Sequence, residues 1–185
     1  MQIDAESAPW AEFISKCTEY VQGEQAFRGI AGKHPQLIAT INFRYKSFNI
    51  EFIQEISINT LNLVHPYPIS FKCQFESPDE YYFSCTPLGF FEKLFNPNRY
   101  RSENHELNKQ FLIETSDERL TDKLLKVEIV INELLKNKVF TLHSLSDSGK
   151  TTVSLKVLEH RFYTIEEFIH YVNILISVLD LMRTR

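Results

Sequence analysis

Six histidines, three cysteines and a Gly-Lys-Thr triplet carry the plainest chemical potential in this chain. The triplet sits in Ser146–Thr152, SDSGKTT. A phosphate-binding loop has the form G-x-x-x-x-G-K-[ST] and leads into a helix. Here Ser144 stands where the first glycine belongs, and Thr152–Leu158 alternates as a strand does. A polar hairpin turn is therefore the expectation. The histidines are His34, His65, His105, His143, His160 and His170, and no two have HxH or HxxxH spacing. His143 and His160 are the pair that a sheet could bring together. Cys17, Cys73 and Cys85 lack CxxC spacing, so no zinc site is expected. Paired acids such as Asp79/Glu80 and Glu166/Glu167 fall at turn and helix-start positions, where they complete caps. No G-x-S-x-G elbow is present. The sequence thus nominates no catalytic residue, no cofactor and no metal.

Asn42–Phe52, NFRYKSFNIEF, interleaves aromatic and basic residues in the manner of an RNA-stacking strand, but without the glycines that pattern requires. With a net charge of −4 and no basic block, nucleic-acid binding is not expected. A hairpin with core phenylalanines is the better expectation. Four tyrosines, Tyr45, Tyr67, Tyr81 and Tyr82, are candidates to line an aromatic pocket between sheet and helix. The alternative is a filled core with tyrosine hydroxyls reaching water.

The elements that must hold these groups follow from periodicity. Ala8–Gln22 is a helix, with Ser7 as cap and Trp10, Phe13, Ile14, Cys17 and Val21 on one face. Gly23, Gly29 and Gly32 then interrupt it. Residues 36–85 alternate with period two and read as an antiparallel meander, with turns at Tyr45-Lys46-Ser47 and Ser77-Pro78-Asp79. Leu88–Phe95 reads as a short helix and Asn96–Asn108 as a polar loop. Residues 110–183 form a strand, helix, hairpin and helix unit. Its first helix runs from Ser116 or Asp117 to about Lys136, through Leu120, Leu124, Val127, Ile131, Leu134 and Leu135. Thr164 and Glu167 make a capping box for the last helix, which runs to about Met182. Its second half is apolar on most faces, a mark of burial on several sides. Ile174, Ile176, Leu179 and Met182 are the candidates for an interface with a protein partner or a second copy.

Composition sets the frame. With 185 residues, 43% hydrophobic and 24% charged, one α+β domain over residues 1–185 is expected. It consists of a largely antiparallel sheet packed against long helices, with a long C-terminal helix. Few cysteines, no signal-peptide pattern and no apolar run long enough for a membrane span predict a cytoplasmic location.

Phe27-Arg28-Gly29, the strand-rich stretch, and Asn108–Leu125 (NKQFLIETSDERLTDKLL) carry a resemblance to an uncharacterised prokaryotic domain of unknown function. It spans about Phe27 to Met182 and implies a strand, a helix with a Leu-Leu pair, a hairpin and a terminal helix. It implies no activity and no catalytic residue. In element order the chain is also similar to secretion chaperones, small acidic α/β dimers that hold extended partners. The leading expectation is a non-enzymatic binding or protein-interaction module, with homodimerisation included. A small-molecule binder with the aromatic pocket is the first alternative. An enzyme with a site assembled from distant residues is the second.

Overall fold

The computed structural model describes residues 8–31, 35–58, 64–77, 80–89, 100–136 and 140–183. The strands are β1 (Glu24–Ile30), β2 (Gln36–Tyr45), β3 (Phe48–Ile58), β4 (Val64–Glu76), β5 (Tyr82–Pro87), β6 (Phe111–Thr115), β7 (Phe140–Asp147) and β8 (Lys150–Val157). The helices are α1 (Ala8–Val21), α2 (His105–Gln110), α3 (Glu118–Leu125), α4 (Glu128–Lys136) and α5 (Ile165–Arg183). All eight strands join one antiparallel sheet in the order β1-β2-β3-β4-β8-β7-β5-β6. The mixed α+β class stands, but the sheet dominates. Among the described residues only α1 and α5, at 14 and 19 residues, are long; the other three helices there have six to nine.

Alternation places one face of each strand inward. Leu37, Ala39, Ile41 and Phe43 on β2 are buried, as are Phe48, Ile50, Phe52 and Ile56 on β3. Phe168 of α5 lies fully buried over this layer, its ring 5.1 Å from Phe52, 5.6 Å from Phe71 and 6.4 Å from Phe13 of α1. Trp10, Ile14 and Cys17, one helical stripe of α1, are buried too. Trp10 Nε1 donates to Gln54 Oε1 at 2.9 Å, which satisfies the indole within the core.

The Ser148-Gly149 turn has φ of 52° and 78° and joins β7 to β8. Two successive positive φ values define the tight hairpin turn that matches strand twist. SDSGKTT is therefore a hairpin, with strand rather than helix beyond it. Thr164 and Glu167 form the expected reciprocal cap: the Thr164 amide donates to Glu167 Oε2, and the Glu167 amide to Thr164 Oγ1.

Four expectations need correction. The meander holds for β2, β3 and β4, but β5 lies beyond β8 and β7, because the C-terminal hairpin pairs into the sheet between β4 and β5. Part of the 96–108 loop is helical: Asn104 accepts amide hydrogen bonds from Glu106 and Leu107, starting α2 and burying Leu107. The helix after Asp117 is two helices, broken at Lys126-Val127. The break turns the buried face, so that Val130 and Leu134 go inward while Val127 and Ile131 are half-buried. Finally, Glu24–Ile30 is a strand, although Gly29, the flanking Gly23 and the lack of alternation gave no sign of one. The cap expected at Ser7, Pro78-Asp79 of the expected turn, and most of the Leu88–Phe95 helix lie outside the described residues.

Arg161 joins the cap of α5 by donating to both carboxylate oxygens of Glu167. This hydrogen bonding holds the Glu167 carboxyl below the usual carboxylate range. The folded pKa thus lies below the unfolded value of roughly 4.3. Its stabilisation is complete above that value and is lost as pH falls through the folded pKa. Glu167→Gln is expected to cost about 1 kcal/mol near neutral pH and nothing in strong acid. Urea midpoints measured across that pH range check this.

Candidate protein interface

Gly23 turns the chain from α1 into β1. A Cβ there would lie 2.7 Å from the Asn42 carbonyl oxygen, so only glycine lets the backbone pass so close to β2. The chain then runs along β2 from Glu24 opposite Asn42 to Ile30 opposite Gln36. Among the described residues β1 has no partner on its other side. All seven of its residues are exposed. Phe27 is 41% exposed although its ring meets Trp10 edge-on at 5.8 Å, and Ile30 is 40% exposed. Glu24, Ala26 and Arg28 alternate with Phe27, so they point to the face opposite α1.

The sheet's far edge is different. β6 has five residues, with Phe111, Leu112 and Ile113 buried. The Tyr100 amide donates to the Ile113 carbonyl at 3.1 Å, on the side of β6 away from β5. The Tyr100 hydroxyl, in turn, donates to Asp122. One edge is thus closed by its own chain and the other is open. An open edge presents a row of backbone donors and acceptors to any strand that approaches.

The face away from α1 and α5 carries a polar row across all eight strands: Glu24, Asn42, Glu51, Lys72, Ser154, His143, Ser84 and Glu114 stand opposite one another in turn. Burial first, and then the nearby Lys156 charge, push the His143 pKa below its ordinary value. A cleft of about 410 Å³ opens where this row meets β1, lined by Glu24, Asn42, Arg44, Asn49 and Glu51 among others.

The expected pocket tyrosines are not gathered. The Tyr45 hydroxyl donates to Asp180 at 2.9 Å. Tyr67 meets the His160 ring at 5.5 Å. Tyr81 is buried with its hydroxyl 3.3 Å from Thr121, and Tyr82 donates to Glu114 at 3.1 Å. Four strands lie between the strand of Tyr45 and that of Tyr82. Of the expected interface residues, Ile174, Leu179 and Met182 are buried in the chain's own core, and Ile176 is half-buried. The polar and basic residues of β1 were not legible as a site, because an exposed edge strand has no buried face to imprint a period. The available signal was a strand-length segment between Gly23 and the β2 alternation.

Glu133 is buried where α4 meets α5, and its Oε2 lies 2.8 Å from His170 Nε2. All three thiols are buried, and burial pushes each pKa up, that of Cys73 to about 12. Native protein is expected to resist an aromatic disulfide reagent at mildly alkaline pH, and to release three equivalents of product only when unfolded. Among the described residues there is no group of three potential metal ligands, and no helix long and apolar enough to cross a membrane. No protein-family model, curated protein or solved structure matches this chain.

Proposed function

We propose that this chain is a non-enzymatic protein-interaction module that accepts an extended polypeptide segment along β1. The observation that carries this reading is the asymmetry of the two sheet edges: among the described residues β1 is unpaired on one side and exposed at all seven positions, while β6 is short and covered. An added strand would satisfy the outward-pointing backbone groups of β1. The side chains of that strand would cover Phe27 and Ile30. Main-chain hydrogen bonds supply affinity in this mode, and alternate side chains supply selectivity. β1 is already paired with β2 along its whole length, so little ordering cost falls on the acceptor.

The test is hydrogen–deuterium exchange. Random peptides displayed on phage are selected against the folded chain, and the recovered peptides are added in excess. Slowed exchange confined to β1 and its flanks is the expected result. With the chain diluted to monomer, selected peptides that leave β1 exchange unchanged, or that slow exchange only elsewhere, overturn the reading.

A further inference from the structure

We infer that the segment taken up by β1 is β1 of a second copy of this chain, paired antiparallel about a two-fold axis at Ala26. The second copy uses the same open edge, so it depends on the strand-accepting reading above. The choice of occupant comes from the charges on the strand. Glu24 and Arg28 project from the same face of β1, on either side of Ala26. In an antiparallel pair of identical strands, the register that sets Ala26 opposite Ala26 also sets Glu24 opposite Arg28. Symmetry repeats that pair, so both charges of both copies are matched. Residues directly opposite have Cβ atoms about 4.5–5.5 Å apart, close enough for the carboxylate and guanidinium to meet. Moving the register by one or two residues sets Glu24 against Phe27, Gly29, Ala26 or Ile30, and leaves the charges without a directly opposite partner.

The same register preserves the faces of the sheet. Gln25 falls opposite Phe27, on the side that carries α1, where the Phe27 ring is already half-covered by Trp10. Two eight-stranded sheets then become one continuous sheet, with both α1 helices on the same face, one on each side of the seam. The open edge disappears in the assembly, which is the usual remedy for an exposed edge strand. The cleft beside Glu24 and Arg44 flanks the seam.

Sedimentation velocity over a concentration series tests this on the full chain. The wild type is expected to dimerise, and more weakly as salt is raised. Glu24→Arg and Arg28→Glu each set like charges opposite one another twice. Each is expected to weaken the dimer by at least about tenfold. The double variant, Glu24→Arg with Arg28→Glu, restores opposite charges and is expected to recover the dimer. Both positions are exposed, so circular dichroism should show native folding in every variant. A wild type that stays monomeric, or a dimer indifferent to the single reversals, overturns the inference. So does a double variant no better than the singles. If the wild type is monomeric while selected peptides still slow exchange in β1, self-pairing fails and strand acceptance stands. If neither is seen, both fail.

Discussion

Phe168→Ala is expected to destabilise the chain by about 3–5 kcal/mol. Phe168 is fully buried, and its ring meets those of Phe52, Phe71 and Phe13, which come from β3, β4 and α1. It is the point at which the last helix, the sheet and the first helix are pinned together. Removing the ring deletes the transfer energy of a large side chain and leaves a cavity bounded by three elements that cannot all collapse onto it. Urea denaturation measures this as a fall in midpoint at unchanged slope. Phe168→Leu keeps most of the volume and should lose far less. Equal losses for the two variants would mean that the ring cluster is not the anchor described.

Trp10→Ala is expected to cost a similar ~3–5 kcal/mol, from two separable sources. The first is the volume of a fully buried indole between α1 and the sheet. The second is Gln54, buried without exposure on β3, whose side-chain oxygen accepts from the indole while its amide nitrogen has no hydrogen-bond partner. Trp10→Phe keeps most of the volume and strands the Gln54 oxygen, so it should cost about 1–3 kcal/mol. Adding Gln54→Leu removes the stranded group and should recover part of that loss. A double-mutant cycle measures the coupling. A cycle with no coupling would refute the role given to the hydrogen bond. Trp10 also backs Phe27 of β1, so Trp10→Ala should speed deuterium exchange in β1 more than in β4.

These two anchors also bear on the proposed interface. α1 packs on β1 and β2, and Phe168 of α5 packs on β3 and β4, while among the described residues the outer rim of β1 is open. Cutting either anchor should weaken strand capture indirectly, through loss of fold. The charge reversals at Glu24 and Arg28 should change association and leave stability nearly untouched. That contrast separates a structural role from an interfacial one.

The sequence by itself determined the local elements whose two sides differ in solvent contact. β2, β3 and β4 alternate because one face is buried, and α1 repeats Trp10, Ile14 and Cys17 for the same reason. The capping box at Thr164 and the tight turn at Ser148-Gly149 are written in adjacent residues, because the hydrogen bonds and backbone angles that make them are local. Only tertiary structure decided the strand order, since pairing the C-terminal hairpin between β4 and β5 joins residues far apart in the chain. It also dispersed the four tyrosines and buried Ile174, Leu179 and Met182, because composition does not say which apolar surfaces will meet. The edge strand β1 is the extreme case. Exposed on both faces, β1 carries no hydrophobic period, and it is a strand because β2 presents the hydrogen-bonding edge that makes it one.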